Sequence, residues 1–373
     1  SKSRARGRFL PDPRALDLLD PEPEAPPLSQ QRTEFMATSK KALKARPPSA
    51  LKTKPAPAPK AKNVRPAAKS GPSQLIEADS AARALNILGD RWTLMIISHA
   101  FARVRRFEDF QGRIQIARSL LTDRLRKLEE AGVFKRVRYC EHPPRDEYRL
   151  TEMGNDLFGA SLMIIRWEKR WFYDRRIPAH QVKHAVCGKA FTPECRCKHC
   201  DEFVYARDTY SVPGPGAGVD PPQKPRAHRR SIVEPLLPAD SMMERSTEVL
   251  GDRWTAHIIA SAFLGRKRFT DFQQALGVAP NILTDRLGRL VELGVLSQRL
   301  YQEKPARWEY KLTQPGLDLF PLVLELVRWG DRWLAGKKGP PKIIKHTLCK
   351  HTLETKLTCD QCGKVVTRYD THL

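Results

Sequence analysis

No run of about 18 apolar residues occurs in the 373-residue chain, so no membrane-spanning helix is expected. The first residues contain no apolar h-region, which argues against a secretory leader, and Ser1 in place of Met points to a trimmed start. HExxH, P-loop, nucleophile-elbow and paired-carboxylate patterns are all absent, so no enzyme class finds its motif here. Acids are scarce relative to bases, with 42 Asp+Glu against 66 Lys+Arg and a formal net charge of +24. Such an excess favours a polyanionic partner, because neutralising phosphates releases condensed counterions. Cysteine is also sparse: eight residues, six of them gathered into two clusters. That distribution suits metal ligation in a reducing cytosol better than a disulfide scaffold.

Apolar surface is nearly missing from the N-terminal segment. Ser39 to Lys69 holds ten Lys/Arg, many Ala and Pro, and no acid. It cannot bury enough to offset chain entropy, so residues 1–75 read as a disordered basic tail. Such an arm either stays solvated or adds phosphate contacts to a neighbouring DNA-binding unit.

What is present is an internal duplication. Gly89-Asp90-Arg91-Trp92 recurs as Gly251-Asp252-Arg253-Trp254, an offset of 162, and Leu121-Thr122-Asp123-Arg124-Leu125 recurs at Leu283–Leu287 with the same offset. The offset still holds at Trp167/Trp329, Trp171/Trp333 and Cys200/Cys362. Between the copies, Ser211 to Arg230 carries PGPGAG and PPQKPRAHRR, a Gly/Pro density that reads as a flexible linker. The expected organisation is a tail (1–75), a first folded unit (76–175), a first Cys/His module (176–210), a linker (211–235), a second folded unit (236–337) and a second Cys/His module (338–373).

Each unit spells out an order of elements. Ala81–Leu88 has helical apolar spacing and stops at Gly89; Asp90 is placed to cap a second helix, Trp92–Ala100. Phe107–Ile114 forms a short third helix. Arg118–Ala131 forms a fourth, with Leu121, Leu125 and Leu128 inward and Gly132 as its stop. Two strands near Phe134–Glu141 and Glu147–Leu150 flank a tip at His142-Pro143-Pro144-Arg145, and a long amphipathic helix follows over Asp156–Trp171. The fold class is therefore mainly α with small β wings (α+β): two tandem winged helix-turn-helix domains, each followed by a small Cys/His, zinc-ribbon-like module.

The ordered strings ALNILGDRW, RRF-D-FQ, LLTDRLRKLEEAGV, YCEHPPRDEYRLTEMG and RW-KRW resemble the HxlR-type, MarR-related regulators. VLGDRWTAHIIASAF, RFTDFQ, VAPNILTDRLGRLVELGV, PARWEYKLTQPG and VRWGDRW repeat the likeness, which covers about 79–173 and 241–335. The resemblance implies a small bacterial DNA-binding repressor or activator that pairs through its terminal helices. Two departures stand out. The family commonly carries a Cys just before its first helix, where this chain has Asp79 and Ser241, so thiol sensing does not carry over. Fusion of two copies in one chain also departs from the single-domain habit.

In a recognition helix the outward face of the first turns reads base edges. Copy one offers Arg118, Ser119, Thr122 and Arg126; copy two offers Pro280, Asn281, Thr284 and Gly288. The two copies differ there, which predicts an imperfect, asymmetric site. Arg124 and Arg286, next to Asp123 and Asp285, suit an internal ion pair as well as a phosphate. Arg145 and Arg307, beside Pro143 and Pro305, sit at matching wing tips and suit the minor groove or flanking backbone. Arg105, Arg106, Lys267 and Arg268 precede the third helix and suit phosphates; Phe107 and Phe269 next to them read as core. Trp167/Trp171 and Trp329/Trp333, at i, i+4 on the last helix, suit core or dimer-seam packing, with a cofactor box as the alternative. The copies would then form an intramolecular pseudo-dimer with recognition helices one DNA turn apart, about 34–36 Å.

Each copy ends in H-x2-C-x9-C-x2-C: His184, Cys187, Cys197, Cys200, and then His346, Cys349, Cys359, Cys362. Three thiolates and an imidazole suit one closed tetrahedral zinc site per copy, up to two in all. A redox-active CxxC or a metal-free relic are the competing readings. Cys140 matches Gln302 and Cys195 matches Leu357, so neither belongs to the repeated set; Cys140 reads as a plain strand residue, with a reactive thiol as the alternative.

The function these features favour is a cytoplasmic, nucleoid-associated transcriptional regulator of double-stranded DNA, not an enzyme, with homodimerisation and a small-molecule effector left open. A nucleoid-architectural protein with weak sequence preference is the related alternative. A protein-interaction scaffold with degenerate winged helices is the alternative from another class.

Overall fold

The computed structural model describes residues 76–172, 182–221, 244–304 and 306–372. The basic segment 1–75, most of the expected linker, Ser241 and Pro305 lie outside the described residues.

Copy one runs β1 (Ile76–Glu77), α1 (Ser80–Leu88), α2 (Arg91–Phe101), α3 (Phe107–Ile114), α4 (Arg118–Glu130), β2 (Phe134–Cys140), β3 (Arg145–Leu150), α5 (Glu152–Asn155) and α6 (Phe158–Trp171). Strands β4 (Lys183–His184), β5 (Pro193–Cys197), β6 (Thr209–Pro213) and β7 (Val219–Asp220) follow. Copy two repeats the order with α7 (Glu244–Leu250), α8 (Arg253–Phe263), α9 (Phe269–Leu276), α10 (Pro280–Glu292), β8 (Leu296–Gln302), β9 (Arg307–Leu312), α11 (Gln314–Leu317), α12 (Phe320–Leu334), β10 (Lys342–His346), β11 (Thr355–Cys359) and β12 (Thr371–His372). Among the described residues no helix is long and apolar enough to cross a membrane.

Local signals place the ends of these elements. The Asp79 and Asp90 side chains accept from the Ala82 and Thr93 N–H groups, capping α1 and α2. Gly132, at φ +79°, turns the chain from α4 into the wing, and Gly294, at φ +72°, does so in copy two. Six side chains of one copy and their partners in the other fill the two winged-helix cores. Ile96, Phe110, Leu121, Leu125, Leu128 and Phe134 are buried at 2% exposure or less, as are Ile258, Phe272, Leu283, Leu287, Leu290 and Leu296. The long helix begins at Phe158 rather than Asp156, because Thr151 caps the separate short turn α5 through the Gly154 N–H.

The copies meet at their identical GDRW strings. Asp90 bridges Asp252 antiparallel, and the Arg91 N–H donates to the Gly251 carbonyl at 3.0 Å. A Cβ on Gly89 would meet the Leu85 carbonyl at 2.4 Å and the Arg253 Cβ at 3.0 Å; one on Gly251 would meet the Thr247 carbonyl at 2.1 Å and the Arg91 Cβ at 3.0 Å. Glycine is what lets the two turns touch.

Reciprocal contacts of α6 and α12 extend this seam. Trp167 Nε1 donates to the Pro315 carbonyl and Trp171 Nε1 to Asp318, while Trp329 Nε1 donates to the Met153 carbonyl and Trp333 Nε1 to Asp156. Arg166 and Arg328 pair with the same two aspartates across the copies, at 3.0 and 2.9 Å. The aromatic pairs thus serve the packing role expected of them, with each indole N–H satisfied by the other copy.

One position breaks the symmetry. Gly330 faces the Ser80 carbonyl so closely that a Cβ would sit 2.3 Å from it, and α1 packs along α12 there. Its counterpart is Glu168, whose buried carboxylate accepts from both the N–H and the hydroxyl of Ser246.

The stretch expected to be a linker is ordered through its first part. β6 pairs with β10 and β7 pairs with β1, with the PGPGAG turn between them. The Gly214 and Gly216 N–H groups donate to the Pro341 and Pro340 carbonyls, so Gly/Pro density here makes a tight backbone-to-backbone turn rather than free chain.

Two predictions follow from this packing. Gly330→Ala should lower the unfolding free energy by about 1–3 kcal/mol through overpacking against backbone. Gly112→Ala, whose Cβ meets nothing within 4 Å, should raise it by up to about 1 kcal/mol in the same urea titrations. The second concerns His257, where burial pushes the imidazole pKa down to about 4. The folded chain holds it neutral while the unfolded chain protonates it below about 6.5, so stability should fall as pH drops from about 6.5 toward 4. Copy one has Met95 at this position, and His257→Met should remove on the order of 2–3 kcal/mol of that acid loss, read from denaturation midpoints at pH 7.5 and 4.5.

Candidate nucleic-acid interface and metal centres

The helices expected to serve as recognition helices are α4 and α10. Each is tied to the GDRW seam by one arginine of its LTDRL string. Arg124 Nε lies 3.0 Å from Asp90 Oδ1, and Arg286 Nε lies 2.9 Å from Asp252 Oδ1. Of the two roles open to these arginines, the internal ion pair is the one they fill. Asp90 and Asp252 therefore cap a helix, touch the other copy and anchor a recognition helix at once.

On the outward face, Arg118, Ser119, Thr122 and Arg126 are exposed, as are Asn281, Thr284 and Gly288. The Thr122 hydroxyl donates to the Arg118 carbonyl and the Thr284 hydroxyl to the Pro280 carbonyl, both at 2.9 Å. Arg118 lies over the Phe107 ring at 4.8 Å. Arg126 is held by Asp123 at 2.9 Å and by Glu130 at 2.6 Å, so it must exchange acid partners to reach a base.

Arg145 and Arg307 open β3 and β9 and are exposed beside the wing tips. Ahead of α3, Arg106 stacks on Tyr139 at 4.7 Å, and at the same offset Arg268 stacks on Tyr301 at 4.8 Å. Sequence reasoning did not see these tyrosines as supports, although both belong to the repeated set. Arg105 lies 3.8 Å from Glu147, and the Lys267 carbonyl accepts from the Tyr310 N–H, so the root of each wing is stitched to this basic loop.

The Cys/His set forms two four-residue clusters, but not within each copy as the spacing suggested. One cluster is His184, Cys187, Cys359 and Cys362; the other is Cys197, Cys200, His346 and Cys349. Each takes its His-x2-Cys from one copy and its CxxC from the other. The reason is strand pairing: β5 lies antiparallel to β11, with Cys195 opposite its own counterpart Leu357, while β4 pairs with β12 and β6 with β10. Crossing at the Cys195–Leu357 pair carries each CxxC to the other copy's histidine. The two modules are thus one interlocked unit.

The geometry fits a tetrahedral ion. Cys187 Sγ and Cys359 Sγ are 3.9 Å apart, Cys197 Sγ and Cys349 Sγ likewise, and Cys362 and Cys200 lie 3.3 and 3.4 Å from the Nδ1 atoms of His184 and His346. Bonds of about 2.3 Å to a zinc ion require sulfur–sulfur edges of about 3.8 Å. No disulfide joins these sulfurs, and all are free thiols. The Lys189 backbone N–H draws the Cys187 thiol below its ordinary pKa, favouring the ligating thiolate. Cys195, by contrast, is buried, and that burial pushes its pKa far up. Cys140 ends β2 beside the wing tip, with its sulfur 3.6 Å from the His142 carbonyl.

These elements define a tandem pair of winged helix-turn-helix units closed by a shared Cys/His module. The HxlR-like helix-turn-helix family model matches residues 87–176 and again 249–338. A Mycobacterium tuberculosis protein named as an uncharacterized HTH-type transcriptional regulator is 42% identical over 144 residues, 39% of this chain and 91% of that protein. The HTH-type transcriptional regulator YvaP of Bacillus subtilis, also uncharacterized, is 33% identical over 92 residues, 24% of this chain and 85% of its own. A solved Pseudomonas aeruginosa structure, described as a candidate transcription factor, is 29% identical and covers 35% of this chain and 88% of that one, at a TM-score of 0.28. The chain belongs to the HxlR-like helix-turn-helix family of transcriptional regulators.

Zinc held by the crossed clusters would be distinguished from zinc held within each copy by two double variants. Cys187→Ser combined with Cys359→Ser damages one crossed tetrad and should leave one zinc per chain by elemental mass spectrometry. Cys187→Ser combined with Cys197→Ser damages both and should leave none. Ligation within each copy would reverse these two results.

Proposed function

We propose that this chain is a sequence-specific, cytoplasmic regulator that reads duplex DNA as a pseudo-dimer within one polypeptide, with no catalytic role. The observation that carries the reading is the Arg124–Asp90 and Arg286–Asp252 pairs, which tie both recognition helices to one inter-copy seam. Helices held that way present their outward faces at a set separation, which is what two half-sites on one face of a duplex require.

In this reading α4 and α10 enter successive major grooves. Arg118 reads guanine in one half-site, with Ser119, Thr122 and Arg126 beside it; Asn281 reads adenine in the other, with Thr284 beside it. Arg145 and Arg307 reach the minor groove or backbone from the wings. Arg105, Arg106, Lys267 and Arg268 hold phosphates, with Tyr139 and Tyr301 positioning two of them. His184, Cys187, Cys359 and Cys362 would hold one structural zinc ion and Cys197, Cys200, His346 and Cys349 a second, each cross-linking segments of the two copies. Because the two reading faces differ, the preferred site is asymmetric.

Binding to a selected duplex and to random duplexes, each titrated with salt, tests this. Arg118→Ala and Asn281→Ala should each cost about 1–3 kcal/mol on the selected duplex, at opposite half-sites, and little on random DNA. Arg145→Ala should weaken both duplexes alike and reduce the salt slope by about 1. Equal affinity for selected and random duplexes would instead indicate an architectural protein.

A further inference from the structure

Strand β1 precedes copy one in the chain but is held by copy two. It pairs antiparallel with β7, and the Ala78 N–H donates to the Gly218 carbonyl at 3.0 Å. Its two side chains reach both ends of α9, the helix before α10. A Cβ placed on Gly277, just past the end of α9, would meet Ile76 Cδ1 at 3.6 Å. The Glu77 carboxylate lies 2.9 Å from Arg266, immediately ahead of Lys267 and Arg268, and 3.2 Å from Lys342. Gly277 stands three residues before Pro280, which opens α10. At 3.8 Å between successive Cα atoms, Gly277 and Asn281 are no more than about 15 Å apart. The chain therefore enters its described part beside the helix-turn-helix of copy two, not that of copy one.

Charge on the two sides of that entry point is complementary to a shared partner. The segment Ser39 to Lys69, outside the described residues, carries ten Lys/Arg and no acid. It ends seven residues before Ile76, a span of at most about 25 Å. The outward face of α10 is poor in available cations. Where α4 carries Arg118 and Arg126, α10 carries Pro280 and Gly288. Of the two arginines on α10, Arg286 is held by Asp252 and Asp285, and Arg289 lies 3.4 Å from Glu248 and 3.6 Å from Glu292. Copy one, by contrast, presents Arg118 exposed over the Phe107 ring.

We infer that the segment Ser39–Lys69 binds the duplex on the copy-two side of the site, its lysines and arginines gripping phosphates outside the half-site that α10 faces. The inference rests on the half-site reading proposed above and adds to it a direction along the DNA. The contacts of β1 with α9 fix where the segment joins the folded part, and the polyanion nearest that point is the DNA flanking α10. Each phosphate neutralised releases counterions, so the segment adds affinity and salt dependence without base preference. It supplies at copy two the positive charge that α10 lacks, and it lengthens the bound DNA at one end of the site only.

Hydroxyl-radical footprinting of the full chain on a selected duplex tests this, beside a variant whose ten Lys/Arg in Ser39–Lys69 are replaced by Gln. Asn281→Ala marks the copy-two half-site by its lost base discrimination. The unmodified chain should protect backbone beyond that half-site and not beyond the other. The Gln variant should lose that flank alone, bind selected and random duplexes at least about tenfold more weakly alike, and lower the salt slope by at least about 2. Ile76→Ser combined with Glu77→Gln, which frees β1 from α9, should spread the flank protection while both half-sites stay protected. Equal flanks on the two sides, or a Gln variant with unchanged flank and salt slope, would overturn the placement while the half-site reading stands. Absence of positioned half-sites in every one of these proteins would refute that reading, and the placement with it.

Discussion

The antiparallel meeting of the two Gly-Asp turns is the constraint on which the rest of this molecule depends. Gly89 and Gly251 have no side chain to hold the copies apart, so Asp90 and Asp252 come side by side at the seam. Each aspartate is paired by an arginine of its own copy, Arg124 on α4 and Arg286 on α10. Half-buried pairs of this kind contribute modestly to net stability, but breaking one leaves a poorly solvated charge, so the geometry is enforced. A short sequence string thereby joins helix capping, copy-to-copy contact and the anchoring of α4 and α10.

Fusing two copies frees them to diverge, and the divergence is not random. Core positions such as Phe110/Phe272 and Leu125/Leu287 stay apolar because either winged helix would lose its packing otherwise. Positions off the core have changed in complementary ways. Glu168 reaches Ser246 where Gly330 lets α1 lie flush; Arg368 lies over Phe101 and Phe158 where Ala206 stands near Phe263 and Phe320; Arg118 and Pro280 begin α4 and α10. A homodimer cannot carry such differences, since every substitution would appear twice.

Much of the fold was legible because it rests on local chemistry. Helical spacing of apolar residues, Asp90 as a cap and Gly132 as a stop gave α1 to α4 with ends within a residue or so, and the wing strands followed from alternation and the proline-bearing tip. The eight clustered Cys/His residues were legible too, since H-x2-C and CxxC recur at one offset. What was not legible was their partnership. Spacing along the chain favours joining His184 to Cys197 and Cys200, yet the β5–β11 pairing sends each half to the other copy. The same blindness to pairing made Ser211 to Asp220 read as free linker, when its backbone groups are taken up by β10, β1 and the Pro340–Pro341 carbonyls.

By itself, then, the sequence determined two winged helices of one family, the basic residues of their helices and wings, and the eight Cys/His residues that gather into two clusters. These depend on periodicity, capping and residue chemistry, which act over a few positions. Only the tertiary structure decided that Arg124 and Arg286 turn inward to the seam, that the Cys/His tetrads cross between copies, and that Arg368 lies over Phe101 and Phe158 while Ala206 leaves Phe263 and Phe320 beside a cavity. Each of those outcomes depends on which backbone lies beside which across about 160 residues of chain, a choice made by packing area and strand pairing rather than by any local preference.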